Sequence, residues 1–250
     1  MWVNTDKVRF DFQYPEQIGG WVKFIDSTAA GTVRSLHDWR DLSGTIRLAF
    51  GDECYLYINT GGTVNEITPL RTSGASLGSD PFETVSGSST VTVTDSSHGI
   101  TRPGCKAIFS GASTVNGLTL NGTYVVRSVI DTNSFTIDAG SNASGTGSGG
   151  GGSVLASYTL NCGLATSISG TGWGAETWGS GTWGTARATS AIDLPLRVWS
   201  IDNWGEDLLV APYGGTLYEG DTSAGISNRM TAVSNAPNQI GYMLVSPDRS

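Results

Sequence analysis

The sequence predicts an all-β protein, and three observations lead to this class. Only 14% of the residues are charged, against about 25% in average globular chains, and glycine, serine and threonine make up the difference. No stretch of ten or more residues places apolar side chains at the i, i+3, i+4, i+7 spacing of an amphipathic helix. Short runs rich in valine, threonine, tyrosine and tryptophan alternate instead with polar turns, which is typical of antiparallel strands.

The region of residues 1–72 is predicted to consist of short strands. The runs that carry the strand pattern are KVRFDF, GWVKFI, VRSLHDW, TIRLAFG, CYLYIN and TVNEITPL. Their β-branched and aromatic side chains favour extended backbone, and glycine, serine, proline or aspartate occurs in each spacer between them. An antiparallel sheet is therefore expected in this region.

The region of residues 73–159 has a different texture. Only six charged side chains lie between Val85 and Leu160. The strand-like runs are TVTVTD, KAIFSG, GTYVVRSVI and SFTIDAG, and the glycine/serine segment GTGSGGGGS follows them. Such a segment is predicted to be a flexible linker. The region is long enough to form a small β-barrel or sandwich of its own.

The sequence pattern of a three-stranded antiparallel meander occurs twice, in residues 33–62 and again in residues 196–221. Each copy has an arginine-led strand ending near Asp-Trp or Asp-Asn-Trp, then an apolar strand, a tight turn and a tyrosine-containing strand. A recurring meander of this size is the sequence form of a β-propeller blade. The sequence thus predicts a discontinuous propeller-like domain of residues 1–72 and 160–250, with residues 73–159 inserted at exposed loop tips.

The charge and the cysteines limit the function classes. A formal net charge of −8 and a pI of about 4.6 argue against a surface that grips nucleic acid, which needs clustered lysine and arginine. Cys54, Cys105 and Cys162 form an odd set without C-x-x-C spacing, which predicts three reduced thiols in the core. Residues 1–20 are polar and no apolar run reaches membrane-spanning length, so neither a signal peptide nor a membrane contact is expected.

Two motif matches point to chemistry but lack its structural context. GASLG places Ser76 in the pattern of a nucleophile elbow, which needs a following helix and a histidine base; SDPFETV follows instead. GTGSGG has the glycine spacing of a dinucleotide-binding loop, which needs a helix to meet the pyrophosphate. The strand-like SVLASYTL follows it. We interpret both matches as linker sequence.

The remaining chemical candidates also have structural interpretations. His37 and His98 are the only histidines, too few for a zinc site with these cysteines. DAGSN and DNWGED could each bind Ca²⁺, but DAGSN has too few carboxylates and DNWGED is an equally good turn sequence. Glu206 with Asp202 or Asp207 could also form a glycosidase acid/base pair, but Asp202 matches the Asp38–Trp39 corner of the first meander, which indicates turn stabilisation. The sequence therefore predicts no catalytic residue, no cofactor-binding residue and no metal ligand.

The tryptophans are the strongest candidates for contact residues. GWGAETWGSGTWG places three of them five residues apart, each followed by glycine. Residues five apart on a strand point to opposite faces, so a flat ligand platform is poorly served, and a loop with one aromatic anchor per turn fits better. The predicted structural or interface residues are Trp21, Trp173, Trp178, Trp183, Trp199 and Trp204. A place in the internal core and a ligand-stacking role remain as alternatives.

Several phrases of the sequence occur together in one known group of proteins. These are DKVRFDFQYPEQIGGWVKF, RSLHDW, YLYINTGGTVNEITPLR, TWGSGTWG and RVWSIDNWGEDLLVAPYGGTLYEGD. In this order they resemble the packaged-DNA stabilisation and tail-nozzle proteins of short-tailed bacteriophages, over nearly the whole chain. Members of that family usually begin before DKVRF and continue past PDRS, so a propeller need not close within this chain.

The resemblance implies a function without enzymatic activity and without a cofactor. It implies a propeller-like subunit that forms a ring, commonly a hexamer, below the portal and adaptor proteins. Such a ring extends the DNA channel, lets double-stranded DNA pass without tight binding, and retains it until ejection. The expected location is the virion tail, after assembly in the host cytoplasm. The alternative is a carbohydrate-binding adhesin or lectin-like tail module, which needs tryptophan rings exposed in a concave pocket.

Overall fold

The computed structural model describes residues 8–11, 14–17, 27–166, 196–223 and 225–246. In these ranges every regular element is a strand, which confirms the predicted all-β class. The strands form antiparallel sheets of two, four, eight and four strands, and none of these sheets closes into a barrel. No helix capable of crossing a membrane occurs in the described ranges.

The first four-stranded sheet, called blade 1 below, is a meander in chain order. A two-stranded sheet precedes it, made of β1 (Val8–Asp11) and β2 (Tyr14–Gln17). The strands of blade 1 are β3 (Ser35–Arg40), β4 (Ile46–Gly51), β5 (Leu56–Thr60) and β6 (Thr63–Glu66). Every strand pairs with its sequence neighbour, because short turns join antiparallel strands directly.

The strands that follow blade 1 in the chain build the eight-stranded sheet, in the order β13-β8-β9-β12-β11-β10-β14-β7. These strands are β7 (Leu70–Ser76), β8 (Phe82–Thr84), β9 (Thr90–Thr94), β10 (Lys106–Ser110), β11 (Gly122–Val129), β12 (Ser134–Asp138), β13 (Gly147–Gly149) and β14 (Leu155–Thr159). The sheet holds all strands from residue 70 to residue 159. The predicted domain division itself, after residues 72 and 159, stays a prediction.

The eight-stranded sheet bends so that its two halves pack face to face. Phe82 on β8 meets Phe109 on β10 edge-on, with ring centroids 5.2 Å apart. Phe135 on β12 meets Tyr158 on β14 in the same way at 5.9 Å. Strands so far apart in the sheet order can touch only if the sheet folds over its own apolar face. Of the two architectures expected for this region, the sandwich-like one is observed.

The second four-stranded sheet, called blade 2, repeats the plan of blade 1. Its strands are β15 (Trp199–Trp204), β16 (Asp207–Pro212), β17 (Tyr218–Gly220) and β18 (Thr231–Ala232). The sequence predicted three strands in each meander, and the structure shows four. The run TVNEITPL was predicted as a strand outside the first meander, and its TVNE part forms β6, the fourth strand of blade 1. The fourth strand of blade 2, β18, is only two residues long, too short to show an alternation of apolar and polar side chains.

The two blades pack on each other through one apolar core. Because successive side chains of a strand point to opposite faces, each blade offers one face to this core. The buried members are Trp39, Ala49, Leu56, Ile58, Ile67, Trp199, Leu208, Val210, Tyr218 and Met230. Two four-stranded meanders stacked in this way have the relation of neighbouring propeller blades.

The glycine/serine segment is structured, and its prediction as a flexible linker was wrong. Gly147–Gly149 forms β13, which pairs with β8. A Cβ atom on Gly149 would lie 2.5 Å from Cγ2 of Val115. The glycine is therefore required for close packing of the backbone on a side chain. A composition rich in glycine does not reveal this, because flexible and closely packed segments use the same residues.

Replacing Gly149 by alanine is expected to lower the free energy of unfolding by about 1–3 kcal/mol, because overfilling a packed site forces its neighbours to move. Chemical denaturation measures the change. Gly152→Ala is the matched control, since a Cβ there would meet only Oγ of Ser79 at an ordinary 3.5 Å. Equal effects of the two substitutions would show that packing against Val115 is not the reason for Gly149.

Candidate functional site at the junction of three sheets

One carboxylate connects both blades and the eight-stranded sheet. Glu66, at the end of β6, accepts hydrogen bonds from Nη1 and Nη2 of Arg229 at 2.8 and 3.0 Å. Nζ of Lys106, at the start of β10, donates to the same carboxylate at 3.0 Å. Arg229 immediately precedes the last core residue before β18. We call Glu66, Lys106 and Arg229 the junction cluster.

The junction cluster is held charged by its hydrogen bonds. Burial disfavours the ionised form of Glu66, but the hydrogen bonds from Arg229, Thr68 and Lys106 outweigh it, so the pKa of Glu66 is lowered. Arg229 also donates to the backbone oxygen of Thr68 at 2.8 Å, and the ammonium of Lys106 lies 4.6 Å above the ring of Tyr55. Each cation thus has a second partner that fixes its position.

The free energy of unfolding is expected to fall as the pH drops below about 4.5. A carboxyl group with a lowered pKa in the folded state stabilises the protein above its unfolded pKa, which for Glu66 is the usual 4.5. This contribution is lost as the pH falls through the lowered folded value. Denaturation of the wild type and of Glu66→Gln between about pH 7 and pH 3 tests this, because the difference between the two should shrink in acid. A constant difference would contradict it.

A disulfide also joins blade 1 to the eight-stranded sheet. Cys54, in the turn between β4 and β5, is bonded to Cys162, which lies just after β14. The prediction of three reduced thiols was wrong for this pair, because the two residues are 108 positions apart and only the fold brings them together. Cys105 is free and buried, and burial raises the pKa of its thiol to about 11.

Replacing Cys54 and Cys162 together by serine is expected to lower the free energy of unfolding by about 2–4 kcal/mol, because the cross-link restricts the unfolded chain. Denaturation in the presence and absence of a reductant measures the effect. The wild type should respond to the reductant and the double variant should not. Cys105→Ala serves as the control, and it should keep the response. A wild type that unfolds identically in both conditions would contradict the role of the bond.

A cleft of about 480 Å³ opens beside the junction cluster. Tyr55, Tyr57, Lys106 and Glu53 contribute side chains to it. The hydroxyl of Tyr55 donates to the backbone oxygen of Gly104. Burial raises the pKa of both tyrosines, that of Tyr57 to about 12. Both are therefore neutral hydrogen-bonding groups. The volume falls within the range of about 300–1,000 Å³ that is usual for small-molecule sites.

Two of the six predicted contact tryptophans lie in the described part of the chain. Trp199 is only 3% exposed; its indole Nε1 donates to the backbone oxygen of Asp52 at 2.7 Å. It therefore contacts blade 1 of the same chain. Trp204, at the end of β15, is 52% exposed. Trp21, Trp173, Trp178 and Trp183 lie outside the described residues, and their contact role stays a prediction.

The carboxylates considered for glycosidase chemistry are engaged by backbone amides. Asp202 accepts from Val245 N at 2.7 Å and Glu206 accepts from Leu42 N at 2.8 Å. Asp207 accepts from Thr222 N at 3.4 Å. Within the described ranges no group of three or more His, Cys, Asp or Glu side chains could hold a metal ion. These acids connect chain segments to one another.

The histidines are likewise bonded within the fold. His98 is buried; its Nδ1 accepts from Ile100 N at 2.9 Å, and its Nε2 lies 3.0 Å from the backbone oxygen of Asp131. A neutral ring with its proton on Nε2 satisfies both contacts. His37 contacts Oδ1 of Asn203 across the blade interface at 3.0 Å.

Sequence reasoning missed the junction cluster because Glu66 and Arg229 belong to no recognisable sequence motif.

No family model and no curated protein matches the sequence. Among solved structures, the chain is similar to the phage phi92 endosialidase, with 14% sequence identity and a TM-score of 0.30. The similarity covers 74% of this chain and 27% of that one, so the chain spans about a quarter of the length of that protein. The residues of this chain therefore carry the functional proposal.

Proposed function

We propose that the chain is a non-enzymatic structural subunit of a phage tail or head–tail assembly. Within that class we propose the ring-forming nozzle or packaged-DNA-stabilisation type, which its sequence motifs resemble. The observation that carries this proposal is the junction cluster, in which Glu66 of blade 1 binds Lys106 of the eight-stranded sheet and Arg229, which lies just before β18 of blade 2. A subunit that carries load between neighbours needs its parts held in one fixed arrangement.

The ion pairs of the junction cluster are better suited to holding the three sheets in one arrangement than to raising the free energy of unfolding. A buried ion pair often contributes little net stability, because desolvation costs nearly as much as the attraction returns. It does penalise other arrangements, since separating the partners leaves buried charges unpaired. The Cys54–Cys162 bond adds a covalent tie between blade 1 and the eight-stranded sheet. Together they resist rotation of one sheet against another.

The charge balance supports a channel wall along which DNA moves. The net charge is −8, and the cations of the junction cluster are bound to Glu66 rather than exposed in a basic patch. We expect no affinity for a DNA duplex beyond the non-specific range of about 10⁻⁴–10⁻⁶ M at physiological salt. Fluorescence anisotropy with a labelled duplex measures this, and tight, salt-sensitive binding would overturn the channel role.

Purified tailed particles from the phage that encodes the chain provide the direct test. Quantitative mass spectrometry should find the chain in the tail or head–tail fraction at a fixed copy number, and particles made without it should lose packaged DNA or infectivity. Infectious, DNA-filled particles that lack the chain would overturn the proposed function.

The cleft beside the junction favours a second candidate, a carbohydrate-binding tail module. Two tyrosines and the polar groups of Lys106 and Glu53 line a volume that a small sugar could occupy. Trp39 and Trp199, in contrast, are buried between the blades. A glycan array with the wild type and with Tyr57→Ala tests this candidate. Binding that the substitution abolishes would favour the adhesin, and absence of binding to any glycan would exclude it.

A further inference from the structure

The last described segment, residues 240–246, lies across the face of blade 2 that points away from blade 1. Oγ of Ser200 donates to Met243 O at 2.8 Å and accepts from Met243 N at 2.9 Å. Oδ2 of Asp202 accepts from Val245 N at 2.7 Å. Both anchoring residues belong to β15, the first strand of blade 2. The segment is therefore bound to the blade through alternate residues.

This contact repeats the one that joins the two blades. Trp199 N donates to Oγ of Ser35 on β3 at 2.9 Å, as Met243 N donates to Oγ of Ser200 on β15. Met243 thus takes the place of Trp199, and Leu244 takes the place of Ser200. The spacing is 244 − 200 = 44 residues, which matches the roughly 40–45 residues of a four-stranded propeller blade. The segment continues the blade interface and occupies the position of the first strand of a third blade.

One backbone edge of residues 242–246 pairs with no strand in the described part of the chain. The backbone N–H of Trp199 in β15 points toward blade 1. The backbone groups of the residues on either side, Val198 and Ser200, point toward β16: Tyr213 N donates to Val198 O at 3.0 Å, and Ser200 pairs with Ala211. Backbone groups alternate in direction along a strand. The edge that a second strand would pair with is therefore formed by the backbone of Tyr242, Leu244 and Ser246.

No strand pairs with this open edge among the residues that the structure describes. The side chains of Tyr242 and Leu244 are 77% and 74% exposed. An exposed strand edge with apolar side chains is a template for pairing with another strand. A partner that pairs with this edge would be a segment in extended, strand-like conformation.

The β1–β2 hairpin has the complementary features. It joins no other sheet in the described part of the chain, and a two-stranded hairpin is only marginally stable alone. Pro15 on β2 stands opposite Phe10 on β1. Proline has no N–H and is tolerated where a strand edge faces outward, so the outer edge of β2 lacks a hydrogen-bond donor at Pro15. The outer edge of β1 keeps all its backbone donors and is the better edge for pairing with another strand.

We propose that the open edge binds strand β1 of a second copy of this chain, so that a third blade is completed between copies. The proposal rests on the structural role proposed above and names the partner that this role requires. The backbone N of Gly31 donates to Oδ2 of Asp52 in blade 1 at 2.9 Å, so the chain that follows the hairpin is bound to blade 1, whereas the open edge lies on blade 2. Each copy then has a donor end and an acceptor end, which gives head-to-tail assembly.

Native mass spectrometry of the full chain over a range of concentrations tests the proposal. The wild type should associate, and Leu244→Pro should weaken association by about tenfold or more, because it removes an N–H from the open edge. The contacts of Met243 and Val245 with blade 2 are not removed by this substitution. Leu244→Thr keeps the N–H and should associate nearly as the wild type does. Phe10→Pro, on the partner strand, should act like Leu244→Pro.

Hydrogen exchange provides a second readout that a misfolded variant cannot imitate. The amide of Leu244 should become more protected as the concentration of the wild type rises. A wild type that stays monomeric, or Leu244→Pro that associates normally, would overturn the proposal. Concentration-independent protection of that amide would also overturn it, because it means pairing within one chain. If the chain is found in tail particles while these results fail, only the interface is wrong and the structural role stands.

Discussion

Trp199→Ala is expected to lower the free energy of unfolding by about 3–5 kcal/mol, the range for removing a large buried aromatic side chain. The indole fills the interface between the blades, and it lies so close to Gly51 that a Cβ atom there would collide with the ring. Its Nε1 satisfies the backbone oxygen of Asp52. Alanine would leave a cavity and an unpaired carbonyl together.

Chemical denaturation of three variants separates the causes of this loss. Trp199→Phe keeps most of the packing and loses the hydrogen bond, so a smaller decrease is expected. Trp204→Ala, at a half-exposed position in the same strand, should cost about 1 kcal/mol or less, as surface substitutions do. If Trp204→Ala were as destabilising as Trp199→Ala, the interface between the blades would not be the source of the effect.

Glu66→Gln is expected to lower the free energy of unfolding by about 2–4 kcal/mol, somewhat less than removing one partner from a fully buried ion pair, because the side chains are 15–23% exposed. The neutral amide would leave Arg229 and Lys106 without a counter-charge while both remain largely enclosed. The isosteric side chain keeps the packing, so the change reports on charge. Urea denaturation at neutral pH measures it.

Two further variants check this interpretation. Glu83→Gln neutralises an exposed carboxylate on β8 and should change stability by less than about 0.5 kcal/mol. In the double variant Glu66→Gln/Arg229→Gln the losses should not add, because the second change removes the charge that the first left unpaired. Strictly additive losses would mean that the two side chains do not interact energetically.

Local patterns predicted the strands well and their partners only in part. TIRLAFG and CYLYIN became β4 and β5, because alternation and turn residues act within a few positions. The glycines of β13 have the composition of a linker, and the reason for Gly149 is its contact with Val115, more than thirty positions earlier in the chain. Composition cannot distinguish freedom of the backbone from close contact.

The candidate site was less predictable than the fold. The sequence predicts Trp199 as a contact residue because tryptophan is a common anchor, but its partner, Gly51, has no side chain by which a motif could be recognised. The open edge of residues 242–246 became visible only through two equivalent serine contacts. The two contacts can be recognised as equivalent only from interatomic distances, and a sequence contains no distances.

The sequence by itself determined the all-β class, the doubled meander and the acidic balance, because strand alternation, turn residues and net charge are properties of neighbouring residues or of simple sums. Only the tertiary structure decided that Glu66 meets Arg229 across 163 positions and that Cys54 meets Cys162 across 108. Ion pairs and disulfides depend on separation in space, and separation in space is set by how the sheets pack.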